Sequence, residues 1–164
     1  MRKLMLMALV ALLAACQTVP AVPRFSAAQV AVLQQEGFKP GEGEAWELGI
    51  EDRVLFAVNE STLQPASIAI IERLAKTLAG IGLGGAMIEG HTDSSGSSEY
   101  NLALSLRRAE AVKVAMVAAG MPEAGVRVTG LGETDPIESN ETPEGRAQNR
   151  RVVVIVAPSD LIGR

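Results

Sequence analysis

From Arg53 to Ala157, short apolar runs alternate with longer segments whose apolar residues recur at helical spacing, and few folds accommodate that alternation. Val54–Val58, Ala86–Glu89, Val126–Thr129 and Val152–Ala157 are short enough, and rich enough in branched and apolar residues, to be strands. Between them, Pro65 opens a helix through Ala79, with Ile68, Ile71, Ala75 and Leu78 at helical spacing. A Ser/Gly loop, Ser94 to Ser98, leads into a long helix ending near Ala119, where Gly120 and Pro122 stop it. In that helix Leu102, Leu106, Ala109, Val112 and Met116 predict one buried face. A short helix from Pro143 to Asn149 precedes the last strand. The order β-α-β-α-β-(α)-β predicts an α/β sandwich with helices packed on one sheet.

The chain begins differently. Arg2 and Lys3 precede Leu4 to Ala15, which is almost wholly apolar. A membrane-spanning helix needs about 20 such residues, so this run is too short, and residues 1–15 have the layout of a secretory signal peptide. Leu13-Ala14-Ala15-Cys16 resembles the lipobox of bacterial lipoproteins, which implies cleavage before Cys16 and a diacylglycerol on its sulfur. Gln17 after the cysteine, rather than Asp, implies the outer membrane. Residues 16–50 would then form the lipidated N-terminus, a tether and a short helix. The tether, Gln17 to Arg24, carries two prolines and spans about 30 Å from Cys16 when extended. Ser26 caps a helix through Gln35 that has a narrow apolar stripe, Val30 and Leu33, and Gly37 ends it. A short strand follows around Trp46 to Leu48.

Charge and cysteine content exclude several functions. The full chain has a formal charge of −4, and losing Arg2 and Lys3 leaves −6. An acidic chain with 3% aromatic residues lacks the basic footprint of a nucleic-acid binder. Cys16 is the sole cysteine; once lipidated, it leaves neither a disulfide nor a nucleophilic thiol. His91 is the one histidine, and His-x-Asp alone is too few ligands for a metal, so a structural turn histidine is expected and no cofactor. Nothing in the spacing of the carboxylates singles out a catalytic pair, and no enzyme is expected.

Four motifs stand in order: Gly90-His91-Thr92-Asp93; Asn101 with Leu104-Ser105-Leu106-Arg107-Arg108-Ala109; Gly130-Leu131-Gly132; and Gly145-Arg146-Ala147-Gln148-Asn149-Arg150-Arg151-Val152. Over about residues 52–157 the chain thereby resembles the OmpA C-terminal domain family. The resemblance implies a domain at 51–158 with a four-stranded mixed sheet, a tail at 159–164, and non-covalent binding of peptidoglycan. Members bind the zwitterionic end of diaminopimelate in the stem peptide. A carboxylate must then face the ligand's ammonium and a guanidinium its carboxylate, which a planar Arg fork grips at two points. The matching positions are Asp93 and Arg108. Asn101 and Arg108 lie seven residues apart on one helix face, whereas Arg107 is turned aside by about a third of a turn. The resemblance adds Ser95 and Asn101 as hydrogen-bonding groups and Arg150 as a wall of the pocket; Asn59 is a further polar candidate. The chain departs from the family at Ala57, where an aspartate often follows the phenylalanine, and at Ser94-Ser95, where Asn-Tyr or Asn-Thr is common.

The preceding segment has a narrower likeness. Phe25 to Phe38, with Trp46-Glu47-Leu48-Gly49 and Val54-Leu55-Phe56, resembles the YfiB-type outer-membrane lipoproteins. That resemblance implies binding of a small YfiR-like periplasmic repressor, releasing an inner-membrane diguanylate cyclase that makes cyclic di-GMP. Leu33 and Phe38 are the apolar candidates for that contact. They serve equally well to fold back onto the domain, or to pair with a second copy in a homodimer. A passive tether between outer membrane and wall would use the same domain residues.

Overall fold

The computed structural model describes residues 24–57 and 60–162. The signal segment, Cys16, most of the tether and Asn59 lie outside these residues. Helix α1 (Ala27–Gln35) starts at a reciprocal cap in which Ser26 and Gln29 satisfy each other's backbone amides. A two-residue strand β1 (Lys39–Pro40) and strand β2 (Trp46–Glu51) follow. After one turn of helix, α2 (Asp52–Leu55), come α3 (Pro65–Gly80) and β3 (Ala86–His91). Helix α4 (Ser98–Ala118), capped by Ser97, leads to β4 (Val126–Gly132). Helix α5 (Pro143–Asn149) and strand β5 (Arg151–Val156) complete the principal elements.

The sheet has five strands in the order β1-β2-β5-β3-β4, with β3 and β4 parallel and the other neighbours antiparallel. Strand alternation sends Ala86, Ile88, Val152, Val154 and Val156 to one side, where they meet Ile71, Leu74 and Leu78 of α3 and Val112 and Met116 of α4. This mixed sheet covered by helices on one face is the architecture expected, with the short β1 added at the edge. None of the described helices is long and apolar enough to cross a membrane.

Two glycines bring α4 close to the sheet. A Cβ on Gly90 would collide with the Ser105 carbonyl, and one on Gly130 with the backbone nitrogen of Leu106. The gap closes further because the Gly132 amide donates to Ser105 Oγ at 2.9 Å.

Three expectations need correction. The apolar run from Val54 is not a strand: Val54 and Leu55 lie in α2, Phe56 makes one isolated bridge with Leu63, and Val58 is outside the described residues. Trp46–Glu51 takes the strand position instead, pairing with β5 at six positions. A short apolar run fits a strand or a buried turn equally well by pattern, and pairing decides. Second, Leu102 and Leu106 are exposed, while Asn101, Leu104, Ser105 and Arg108 occupy the buried face of the same helix half. Polar residues hold the inward positions there because that half faces a polar cavity. Third, Leu33 and Phe38, 0% and 3% exposed, are core residues. The segment folds back on the domain, and α1 is tied down by Gln29 Nε2 donating to the Ile81 carbonyl at 2.9 Å and by Arg73 reaching Glu36. Neither side chain is presented to a partner.

Candidate functional site: a polar cavity between the sheet ends and helix α4

At the C-terminal end of β3 a cavity of about 420 Å³ opens between α2, α4, the loop after β3 and the junction of α5 with β5. Asp93, Ser95, Asn101, Arg108 and Arg150 all line it, so five of the six binding residues expected from sequence converge on one place. The sixth, Asn59, lies outside the described residues. Helix α4 turns Arg108 inward, 3% exposed, and leaves Arg107 exposed.

Arg108 is held at three points. Its Nε donates to the Glu60 carbonyl at 3.0 Å, its guanidinium carbon sits 5.2 Å above the centre of the Phe56 ring, and Nη1 lies 3.2 Å from Asp52 Oδ2. That last contact is an ion pair without hydrogen-bond geometry, so Nη1 is a buried donor with no hydrogen-bond partner. Leaving a buried donor unsatisfied costs about 1–3 kcal/mol, and more when the group is charged. Burial pushes the Arg108 pKa down despite Asp52, and it pushes the Asp52 pKa up despite Arg108 and Arg150. For both partners desolvation exceeds the attraction between them.

Asp93 is prepared differently. Its Oδ2 accepts from Arg150 Nη1 at 2.6 Å and its Oδ1 from the Ser95 amide at 2.8 Å. Burial acts to raise its pKa, but the Arg150 bond and the Ser95 amide and hydroxyl outweigh it and hold the carboxyl below its ordinary value. Asn101, 2% exposed, spends its amide nitrogen on the Asp93 carbonyl and on the Glu133 carboxylate, fixing the loop and leaving Oδ1 as the atom it can offer.

The cavity also contains groups that sequence reasoning missed. Asp52 lies between the two arginines, with Oδ2 also 3.6 Å from Arg150 Nε. The family aspartate missing at Ala57 thus has a carboxylate counterpart five residues earlier, at the start of α2, a placement legible only once α2 is known to be helical. Tyr100, Leu104 and Phe56 supply apolar wall, and Thr92 Oγ1 is a second buried group without a partner. Two carboxylates and two buried or half-buried guanidiniums in alternation create a site matched to a ligand bearing both charges.

Comparison with known proteins identifies the family. Residues 55–150 match the OmpA family. The chain is 44% identical to the outer-membrane lipoprotein YfiB of Pseudomonas aeruginosa, over 93% of this chain and 90% of that one. It is 32% identical to a peptidoglycan-associated lipoprotein of Rhizobium meliloti, over 71% of this chain and 66% of that one. The cell wall anchor of the T6SS from Pseudomonas aeruginosa shares the fold, with a TM-score of 0.66 at 24% identity, over 82% of this chain and 97% of that structure. On the strength of the family match and of an alignment with YfiB that spans nearly its whole length, the chain belongs to the OmpA family, among the YfiB-type outer-membrane lipoproteins.

Proposed function

We propose that this protein binds peptidoglycan non-covalently through the cavity, gripping the zwitterionic end of diaminopimelate. Its place is the periplasmic face of the outer membrane, in keeping with its likeness to an outer-membrane lipoprotein. The observation that supports the binding most is the buried Arg108 guanidinium with an unmade hydrogen bond facing the same cavity as Asp93. Arg108 takes the ligand carboxylate, with Arg150 beside it. Asp93 takes the ammonium, and Asn101 Oδ1 and Ser95 complete the polar contacts. Because Asp52 already sits against Arg108, the incoming carboxylate competes with it, while the extra negative charge disfavours ligands that lack an ammonium. The lipid on Cys16 anchors the chain, residues 17–24 span the gap, and residues 51–158 hold the wall. The role is adhesion without turnover.

Co-sedimentation of residues 24–164 with purified peptidoglycan tests this reading. Wild type should pellet, and Asp93→Ala and Arg108→Ala should stay in solution while keeping their circular dichroism. A wild-type protein that stays in solution contradicts it, as do variants that pellet equally well. Muropeptide release in the same samples would contradict the absence of turnover.

The YfiB likeness supports a second layer: sequestering a YfiR-like repressor, and thereby activating a diguanylate cyclase. With Leu33 and Phe38 in the core, that contact uses other surface, or a state in which α1 has left the domain. Titration of residues 24–164 with the repressor from the same bacterium, by calorimetry, separates signalling from passive tethering: heat of binding supports the former and its absence the latter.

A further inference from the structure

The opposite, helix-free face of the sheet carries a second polar cavity, of about 490 Å³. Strand register arranges it. Glu47 stands opposite Ile155, and Glu89 opposite Val153, so two carboxylates flank an apolar floor made by β5. Glu42 and Asp135 come in from the loops at either end. Consecutive residues divide the two sites between them: Arg150 enters the first cavity, while Arg151, the next residue on the strand, lines the second.

Four carboxylates thus share one guanidinium, and it is already taken. Arg151 is 7% exposed and bound to Asp135, with Nη2 to Oδ2 at 3.1 Å. Among the described residues Glu42, Glu47 and Glu89 have no Lys or Arg within ion-pair distance. Glu89 is correspondingly harder to ionise than usual, because of burial first and then the charges of Glu47 and Asp135.

A second observation, independent of this charge, points to a ligand. His91 closes the cavity at the end of β3, 1% exposed, and neither ring nitrogen has a hydrogen-bond partner. Glu89 and Asp135 stand 3.7 and 3.9 Å from the ring nitrogens, too far to bond. The ring is neutral, its pKa pushed down to about 4 by burial and by Arg151, so one nitrogen is an acceptor. A ligand that fits this lining carries positive charge and N–H donors. No group of three or more His, Cys, Asp or Glu among the described residues is arranged to hold a metal ion. The carboxylates are spread around a flat apolar floor, which suits a planar, weakly hydrated, multi-donor cation better than a compact ammonium.

We propose that this cavity receives the guanidinium of an arginine presented by a basic segment of a partner protein, with Glu47 and Glu89 pairing to it, His91 accepting from it, and Val153 and Ile155 beneath its plane. The site is independent of peptidoglycan binding, since it shares no lining residue with the first cavity.

Because His91 is the sole histidine, its ring signals in the ¹⁵N spectrum of tag-free residues 24–164 need no assignment. Titration with a tetra-arginine peptide should move them saturably. Tetra-lysine and magnesium should act at least about tenfold more weakly, as planar recognition requires. The Glu47→Gln/Glu89→Gln variant should lose the arginine response by at least about tenfold while its backbone spectrum stays folded, and Asp93→Ala should keep it. The proposal is overturned by an unsaturable shift, by equal responses to lysine or magnesium, or by undiminished binding in the double variant.

Discussion

Arg107 and Arg108 are neighbours in sequence with opposite fates, one solvated and one buried beneath the candidate ligand. Exchanging each for lysine keeps the charge but removes the planar fork. Arg108→Lys should weaken peptidoglycan binding by about tenfold or more, the value of one charged hydrogen bond, whereas Arg107→Lys should leave it unchanged. Equal losses in sedimentation assays would show that the helix face has been misassigned. His91 makes a different prediction. Its pKa falls from about 6.5 when unfolded to about 4 in the fold, so the unfolded chain takes up the proton more readily. The stability it contributes is intact above pH 6.5 and is lost as pH drops toward 4, by up to about 3 kcal/mol. Urea unfolding of wild type and His91→Asn at pH 7 and pH 4.5 measures this. The loss on acidification should be smaller in the variant, and equal losses would place the pH dependence elsewhere.

At the scale of elements, the position of α4 determines the site, because Asn101, Leu104 and Arg108 all descend from it. Gly90 lets it approach. Gly90→Ala would press against the Ser105 carbonyl, a backbone atom that cannot swing away, and so lift the helix. Unfolding should become easier by about 1–3 kcal/mol, with peptidoglycan binding falling in parallel. A variant of unchanged stability would contradict the close-approach argument. These elements were legible in the sequence to different degrees. α3 and α4 follow from apolar spacing, α5 from the proline that opens it, and β3, β4 and β5 from short branched runs. α2 was hidden because Val54-Leu55-Phe56 has no period long enough to distinguish a turn of helix from a strand. The same gap concealed Asp52, whose role depends on the backbone direction there. Asp93, Asn101, Arg108 and Arg150 were found through the family motifs, since isolated polar residues carry no periodic signal. Counting apolar residues alone misplaces the inward face of α4 at Leu102 and Leu106, because that buried face is made partly of Asn, Ser and Arg.

Across the whole molecule, the sheet separates two polar cavities of different character. One alternates positive and negative groups and suits a zwitterion; the other is dominated by carboxylates and suits a cation. The core runs from Leu33 to Leu161, so the segment carrying α1 and the OmpA-like domain fold as one body. A sheet with one face covered leaves the other open for the proposed protein partner, while the proposed wall site lies at the strand ends. The central claim is the recognition of a zwitterion, and calorimetry of residues 24–164 tests it most directly, with two stem peptides that differ only in carrying diaminopimelate or lysine at the third position. They share the ammonium and differ by the carboxylate that Arg108 should take. The diaminopimelate peptide should bind, and the lysine peptide should bind at least about tenfold more weakly, with the difference abolished in Arg108→Ala. Equal affinity for the two peptides in the wild-type protein would contradict the account.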